Sequence, residues 1–266
     1  MTKTLIAAVQ MVSGTALENN LDRARHWVAE AARQGAQLVA LPEYFCLMGR
    51  QDDDKLAIAE PFGDGPLQGF LADLAREHAI TLIGGTIPLW SAVPSKVHNS
   101  CLVFGPEGGL LARYDKLHLF GFDNGRERYD EGRVQQAGDT PTAFDWQGQR
   151  VALSVCYDLR FPELYRQLAA SLIAVPSAFT HTTGQAHWEL LLRARAVENL
   201  AYVIAPAQGG LHENGRRTWG HSMVIDPWGQ VLACVEEGEG LAMAEIDPAR
   251  LAQVRGQLPA LQHRRL

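Results

Sequence analysis

Cysteine is scarce in this chain of 266 residues, which argues against a disulfide framework. The four cysteines lie far apart in apolar surroundings, at Cys46, Cys101, Cys156 and Cys234. Small disulfide-rich domains carry denser, regularly spaced pairs. There is also no Cys-x-x-Cys pair, and the nine histidines contain no His-Glu-x-x-His or similar ligand spacing. We therefore expect no metal ion and no other cofactor.

Long apolar runs and clustered basic residues are missing as well. No stretch reaches the roughly 18 apolar residues that cross a bilayer, and the N-terminus lacks the features of a secretory signal. The 24 Lys and Arg against 30 Asp and Glu give a net charge of -6, and the Gly-Arg-Arg run at 215–217 is too short for a nucleic-acid surface. We expect a cytoplasmic protein that binds neither nucleic acid nor membrane.

What the sequence does have is enough apolar residues for a large core. Hydrophobic residues make up 47% of the chain and charged residues 20%, as in ordinary globular proteins. This length is long for one average domain and short for two, and α/β folds often reach it as one unit. Without a repeat or linker to divide it, the chain is predicted to form a single domain over residues 1–266.

Apolar segments alternate between strand and helix patterns along the chain. Strands are predicted at residues 4–10, 37–41 and 81–89, with one helix ending near Gly35 and another at 67–79. Helices at 162–170 and 186–199 each precede an apolar strand, at 172–175 and 202–205. Turn residues indicate β-hairpins within 99–114 and 223–234, and the irregular stretch 117–141 is expected to be a functional loop. The pattern predicts an α/β fold, a four-layer αββα sandwich of two mixed sheets covered by helices.

Three predicted buried strands each end in a residue with reactive chemistry: Glu43, Lys116 and Cys156. The carboxyl ends of strands gather at one edge of an α/β sheet, so these side chains are expected to converge. A thiol needs a neighbouring cation or base to become nucleophilic, and Lys116 is a candidate cation. Lys116 and the N–H of Tyr157 can stabilise an oxyanion, while Glu43 can carry the proton. The set is complete for acyl transfer.

Each of these residues also has an ordinary structural interpretation. A strand cysteine is usually an inert small hydrophobe, a glutamate after Leu-Pro can begin a helix, and a lysine at a strand end can be a solvated charge. A papain-like pair in which His118 or His181 activates the thiol is a second enzymatic hypothesis. An inactive scaffold or partner-binding protein is a third, because a fold alone does not prove activity. Spacing alone does not decide between them.

Three segments carry a resemblance to a known family. Leu-Pro-Glu at 41–43, Tyr-Asp-Lys-Leu-His-Leu-Phe at 114–120 and Cys-Tyr-Asp-Leu-Arg-Phe-Pro-Glu-Leu at 156–164 resemble the signature segments of the nitrilase superfamily, the carbon-nitrogen hydrolases. The order glutamate, lysine, cysteine is the same, and similarity continues through residues 7–11, 187–196 and 220–229. The resemblance thus covers nearly the whole chain.

The resemblance implies the αββα sandwich and an amidase that works through a thioester intermediate. It implies Glu43 as general base and acid, Lys116 as oxyanion stabiliser and Cys156 as nucleophile. It also implies a homodimer or higher homo-oligomer. Family members carry a second glutamate after the lysine, and Glu131 is the better match for it, with Glu127 as the alternative.

Residues 207–213 and the tail at 261–265 resemble the Nit branch, whose members act on amides of α-keto acids. Within it the likeness is greater to the members that hydrolyse deaminated glutathione than to those that hydrolyse α-ketoglutaramate. Nitrile and amidine chemistry remain open, since other branches use the same catalytic residues. An anionic substrate of an acidic protein needs a local cation, and Arg160 is the predicted one. Alternatively Arg160 pairs with Asp158 or Glu163.

Overall fold

The computed structural model of the protein describes residues 3–265. Within them the chain forms five α-helices and seventeen strands, and no helix is long and apolar enough to cross a membrane. The helices are α1 (Leu17–Arg33), α2 (Pro66–Glu77), α3 (Pro162–Leu168), α4 (His181–Asn199) and α5 (Pro248–Gln257). The strands are β1 (Thr4–Gln10), β2 (Leu38–Ala40), β3 (Thr81–Ile83), β4 (Ile87–Trp90), β5 (Val97–Phe104), β6 (Leu110–Asp115), β7 (Gly121–Asp123), β8 (Arg128–Asp130), β9 (Ala143–Trp146), β10 (Gln149–Leu153), β11 (Leu172–Ala174), β12 (Tyr202–Ala205), β13 (Gly209–Leu211), β14 (Arg217–Trp219), β15 (Ser222–Ile225), β16 (Val231–Val235) and β17 (Gly240–Ile246).

Most of the strands belong to two mixed sheets. The first has seven strands in the order β17-β1-β2-β3-β5-β4, with β6 paired to β5. The second has six strands in the order β16-β15-β12-β11-β10-β9. In the first sheet β1, β2 and β3 run parallel, and in the second β10, β11 and β12 do. The other pairings within these sheets are antiparallel.

The side chains of β1 show how the layers stack. Ile6 and Ala8 belong to an apolar cluster that includes the second sheet, whereas Ala7 and Val9 belong to a cluster with α1 and α2. Successive strand residues face opposite sides, so the first sheet is buried on both faces. Helix α4 packs against β12 and β15 of the second sheet. The predicted four-layer αββα sandwich is confirmed.

The predicted elements match the structure with four exceptions. The helix predicted at 186–199 begins five residues earlier, at His181. The strand predicted at 81–89 is two strands, because the chain breaks at Gly84 and Gly85 between β3 and β4. The strand before Lys116 is not buried, since β6 lies at an edge and exposes Leu110 and Leu111 by 45% and 48%. The stretch 117–141, predicted as irregular, contains the β7–β8 hairpin and a 3-10 helix over Glu131–Arg133.

Gly85 supports the chain segment that leads to Glu43. Its φ of +57° lies in the left-handed region, and a Cβ added there would stand 2.2 Å from the carbonyl oxygen of Pro42. No real side chain tolerates that distance, so the backbone of Pro42 would have to move. A glycine at position 85 therefore allows the two strand ends to lie side by side.

We expect Gly85→Ala to lower the free energy of unfolding by about 2–5 kcal/mol, through the left-handed conformation and the overpacking together. The matched control is Gly35→Ala, where φ is +94° but no atom lies within 4 Å of the added Cβ. The control should lose only the conformational part, about 1–2 kcal/mol. Urea unfolding of both variants measures the difference. Equal losses would contradict a role for the close approach.

Candidate active site

Glu43, Lys116, Cys156 and Glu131 come together from four separate segments. Glu43 lies three residues beyond β2, Lys116 directly follows β6, and Cys156 begins a 3-10 helix shortly after β10. Glu131 begins the 3-10 helix that follows β8. The side chains converge beyond the carboxyl ends of strands from both sheets, where α/β folds commonly hold their ligands.

Lys116 is the centre of this group. Its side chain is fully buried, and Nζ lies 2.9 Å from Glu43 Oε1 and 2.8 Å from Glu131 Oε2. A second bond of 3.0 Å runs from Nζ to Glu131 Oε1. Burying an ammonium without a counter-ion is very costly, so the two carboxylates are what allow Lys116 to stay charged in the interior.

Each glutamate is fixed by further donors. Asn99 Nδ2 donates to Glu43 Oε1 at 2.8 Å, and the N–H of Ala178 donates to Glu43 Oε2 at 2.9 Å. Tyr44 Oη donates to Glu131 Oε1 at 2.9 Å. Every carboxylate oxygen of the pair thus accepts at least one hydrogen bond, which restricts both groups to one orientation.

The structure separates the two candidates for the second glutamate. Glu131 contacts Lys116 and also accepts a bond of 2.8 Å from the N–H of Phe120. Glu127 instead accepts from Thr182 Oγ1 at the surface. The geometry therefore favours Glu131 for the position that the resemblance implies.

The pKa shifts of Glu43, Glu131 and Lys116 indicate a different role for each group. Burial raises the pKa of Glu43, and the opposing charge of Lys116 does not overcome this effect. Burial acts the same way on Glu131 and is the largest single effect there. The charge and hydrogen bond of Lys116, together with the N–H of Phe120, outweigh it and lower the pKa. Burial alone would lower the pKa of Lys116, yet the negative charges of Glu131 and Glu43 hold it well above its ordinary value. Lys116 stays an ammonium, Glu131 stays a carboxylate, and Glu43 is the group suited to exchanging a proton.

The thiol of Cys156 keeps its proton in the free protein. Burial and the charge of Glu43 raise its pKa well above the ordinary value, and the opposing effect of Lys116 is smaller. The residues alone left open whether a cation or a base activates this thiol, and the raised pKa favours a base. Cys156 needs a base that removes its proton, and the carboxyl of Glu43 interacts with it.

The backbone at Cys156 adopts a strained conformation. Its φ is +52°, which is uncommon for a residue with a side chain and often marks a functional position. A bond of 3.0 Å from its N–H to the carbonyl oxygen of Pro176 helps to hold this turn. The first backbone bond of the following 3-10 helix is donated by the N–H of Asp158 to Val155. The N–H of Tyr157 precedes that bond, so the helix does not use it.

Asp158 connects the lysine segment to the cysteine segment. Its side chain is fully buried, and Oδ2 accepts from Tyr114 Oη at 2.7 Å and from the N–H of Val155 at 2.8 Å. Oδ1 accepts from the N–H of His118 at 3.0 Å and lies 2.7 Å from its Nδ1. Four contacts from residues on either side of Lys116 and beside Cys156 thus meet on one carboxylate.

A solvent-open cavity of about 780 Å³ adjoins these groups. Aromatic side chains line much of it, namely Tyr44, Phe120, Tyr129, Tyr157 and Phe179. Cationic side chains also reach it, namely Lys55, Arg216 and Arg217. In residues 3–265 no cluster of three or more His, Cys, Asp or Glu side chains is arranged to hold a metal ion.

The two predicted binding residues lie differently relative to this cavity. Tyr157 lines it, whereas Arg160 is not among the lining residues. Arg160 lies over the rings of Tyr157 and Phe179, at 5.8 and 5.6 Å from their centroids, and 3.3 Å from His187 Nδ1. Throughout residues 3–265 it forms no ion pair, so the alternative partners proposed from the sequence are wrong.

The histidines of the papain-like hypothesis are engaged elsewhere. His118 binds Asp158 and stacks on Phe161 with a centroid distance of 3.6 Å. His181 begins α4 and packs edge-on against Trp219. Neither ring hydrogen-bonds to Cys156 in the part of the chain that the structure describes. The geometry favours Glu43 as the base.

Sequence reasoning missed several residues that shape the site. Asn99 is a buried amide within an apolar strand, a signal that could have revealed it. Tyr44 directly follows Glu43 and has a φ of +55°, but only the fold shows that its hydroxyl reaches Glu131. Lys55 follows three aspartates at 52–54 and looks like a solvated surface charge. No sequence feature pointed to it.

Comparison with known proteins gives consistent matches over almost the full length. The carbon-nitrogen hydrolase family signature matches residues 5–256. A deaminated glutathione amidase of Synechocystis is 44% identical, covering 98% of this chain and 97% of that protein. An omega-amidase of Homo sapiens is 40% identical, covering 100% and 96%. The crystal structure of a Saccharomyces cerevisiae member of branch 10 of the nitrilase superfamily superposes with a TM-score of 0.89 at 32% identity, covering 99% and 97%.

We expect Asp158→Asn to destabilise the protein and to lower kcat more than it changes KM. The amide presents an N–H₂ group where two donors now converge, and each buried donor left unpaired costs about 1–3 kcal/mol. Urea unfolding and steady-state kinetics measure the two effects. The control is Asp145→Asn on the exposed face of β9, which should change neither. A stable Asp158→Asn protein with unchanged kcat would contradict the positioning role.

Proposed function

The chain belongs to the carbon-nitrogen hydrolase family, and from this membership we propose that it hydrolyses the amide of a small carboxylated substrate through a thioester on Cys156. The family and the amidase relatives make it a hydrolase of carbon-nitrogen bonds other than peptide bonds. One observation carries the proposal for the site. A buried Lys116 joins Glu43 and Glu131 beside the strained Cys156, and Glu43, Glu131 and Cys156 line an open cavity.

Acylation begins with proton transfer. Glu43 takes the proton from Cys156 Sγ as the sulfur attacks the carbonyl carbon of the amide. The negative charge that develops on oxygen is stabilised by the ammonium of Lys116 and the N–H of Tyr157. The carbon-nitrogen bond then breaks, Glu43 returns the proton to the leaving nitrogen, and ammonia departs. The substrate acyl group remains on Cys156 as a thioester.

Deacylation uses the same residues in reverse roles. Glu43, now a carboxylate, takes a proton from water while the water oxygen attacks the thioester carbon. Lys116 and the Tyr157 N–H again stabilise the oxyanion. When the carbon-sulfur bond breaks, the proton on Glu43 passes to the sulfur and the acid product leaves. The free enzyme is restored without any cofactor.

Glu131 serves these steps by holding Lys116 rather than by moving a proton. Its lowered pKa keeps it negative, and it contacts Nζ through both oxygens. Tyr44 and the N–H of Phe120 fix it in turn. This supports a positioning role, in which Glu131 keeps the ammonium charged and directed at the reacting carbonyl.

We propose deaminated glutathione as the substrate, with α-ketoglutaramate as the alternative. The supporting relatives are the Synechocystis deaminated glutathione amidase at 44% identity and the human omega-amidase at 40%. Gln208 lies in the stretch 207–213, which resembles the deaminated glutathione amidases. Its Nε2 donates to the carbonyl oxygen of Glu43 at 3.1 Å and so helps to hold the backbone of the site. Initial rates on both compounds at matched concentrations decide between them.

We further propose that the chain acts as a single-domain, cytoplasmic homodimer or higher homo-oligomer, without nucleic-acid or membrane partners. The unbroken family match over residues 5–256 supports the single domain, and the net charge of -6 argues against a nucleic-acid partner. The homo-oligomer follows from the family resemblance alone. A non-catalytic binding protein is the competing function class. The intact set of reactive groups in an open cavity favours the enzyme.

We expect Cys156→Ala to abolish turnover while the fold persists, because the change removes one small thiol and leaves a small cavity. Intact-mass spectrometry of the wild-type protein mixed with a panel of amides should show an acyl adduct on Cys156. Cys101→Ala is the matched control, since Cys101 is buried in β5 away from the cavity. Full turnover in a folded Cys156→Ala protein would reject the nucleophile, and the absence of both adduct and turnover in the wild type would favour the binding protein.

Glu43→Gln should keep the shape of the side chain and lose its proton exchange, slowing hydrolysis by at least about 10²-fold. In the wild type the raised pKa of Glu43 should place the acid limb of the kcat/KM profile above the ordinary glutamate value, with activity lost as the pH falls through it and the base becomes protonated. The profile of the variant should lack that limb. Near-normal rates in folded Glu43→Gln protein would move the proton transfer to a histidine.

A further inference from the structure

Four cationic side chains lie near Cys156. Lys55, Arg216 and Arg217 line the cavity, and Lys116 belongs to the reactive group beside it. All but Lys55 are paired with carboxylates of the chain. Lys116 contacts Glu43 and Glu131. Arg216 Nη2 lies 2.8 Å from Asp52, and Arg217 Nη2 lies 3.1 Å from Glu237. These three charges are already neutralised before any substrate enters.

Lys55 is the fourth, and its ammonium lacks such a partner. It lies in the 3-10 helix over Asp54–Ile58, with Nζ 4.8 Å above the centre of the Tyr44 ring. Across residues 3–265 no carboxylate stands at ion-pair distance from Nζ and no hydrogen bond to it is formed. A cation on a ring face gains modest energy, but the charge remains available to an anion from solution.

Several charged groups face Lys55 and act on its pKa in opposite directions. Burial lowers the pKa of Lys55, while the negative charges of Glu131 and Asp52 counteract that effect and Arg216 adds to it. Glu131 is occupied by Lys116, and Asp52 by Arg216. A half-buried ammonium without a close counter-ion is unfavourable, and an anionic ligand would remove that cost.

Tyr44 connects this charge to the reacting groups. Its ring lies under Nζ of Lys55, and its hydroxyl donates to Glu131, which holds Lys116. Gln135 Nε2 donates to the same hydroxyl at 2.7 Å. The ammonium thus stands at a defined position relative to Cys156, as a group that orients a substrate must.

We propose that Lys55 binds the carboxylate of the substrate and sets the preference for carboxylated amides. The inference rests on the proposed function and names the residue that selects its substrate class. The ammonium offers three donors to a carboxylate, and such charge-assisted bonds are stronger than neutral ones. Arg160, the cation predicted from the sequence, lies against the rings of Tyr157 and Phe179 without lining the cavity and is the competing candidate.

The experiment compares two amides of similar size, the monoamide of succinic acid and the neutral butanamide. Lys55→Met removes the charge and keeps most of the side-chain length. We expect kcat/KM for the carboxylated amide to fall about 10- to 100-fold, mainly through KM, with little change for butanamide. Lys55→Arg should retain most of the preference. Lys3→Met is the matched control, because Lys3 is an exposed lysine that directly precedes β1 and is paired with Glu245.

The outcomes separate this inference from the function on which it rests. If wild-type protein hydrolyses neither amide nor any member of the panel, the proposed function fails. If it prefers the carboxylated amide and Lys55→Met keeps that preference, the Lys55 assignment fails alone. A selective loss in Arg160→Lys instead would transfer the role to Arg160. If Lys55→Met does not fold, an unchanged preference in Lys55→Gln or a lost preference in Lys55→Arg overturns the proposal.

Discussion

The contact of the Lys116 ammonium with Glu43 and Glu131 is the interaction on which the site depends. A fully buried cation needs close anions, because an uncompensated charge in the interior costs several kcal/mol. The three groups come from the end of β2, the end of β6 and the turn after β8. The ion pairs therefore hold together three segments that are not joined there by backbone hydrogen bonds. A shift of any one segment would leave a charge unpaired.

The sandwich supplies the opposing wall. Cys156 follows β10 of the second sheet, and the link across the two sheets is polar. Asp158 accepts from Tyr114 at the end of β6, and Ala178, which follows β11, donates to Glu43. Since apolar packing between sheets tolerates small sliding, these directed hydrogen bonds are what fix the thiol relative to the carboxylate. The reactive group is thus assembled by bonds that cross the layers rather than by either sheet alone.

Sequence reasoning found what is local and missed what the fold brings together. The layers and most element limits follow from periodicity. The approach of Glu43, Lys116 and Cys156 was expected from residues placed after strands together with the family resemblance. The break at Gly84 and Gly85 was missed because the apolar run continues through it. Asn99, Tyr44 and Lys55 could not be assigned, since their importance lies in contacts with residues far along the chain. The raised thiol pKa depends on burial and on the sum of three nearby charges, which no spacing reveals.

The charge balance explains why one cation cannot serve both substrate binding and catalysis. Lys116 contributes one positive charge, and ionised Glu43 and Glu131 contribute two negative ones, so this group repels an approaching carboxylate. An anionic amide must then be attracted by a cation outside the group, at the far end of the substrate from the scissile bond. Lys116 can still stabilise the oxyanion. Proton transfer from Cys156 neutralises Glu43 at that moment, so more of the positive charge of Lys116 acts on the oxyanion. Separating the binding cation from the paired one lets the substrate be held without weakening the contacts that keep Lys116 charged.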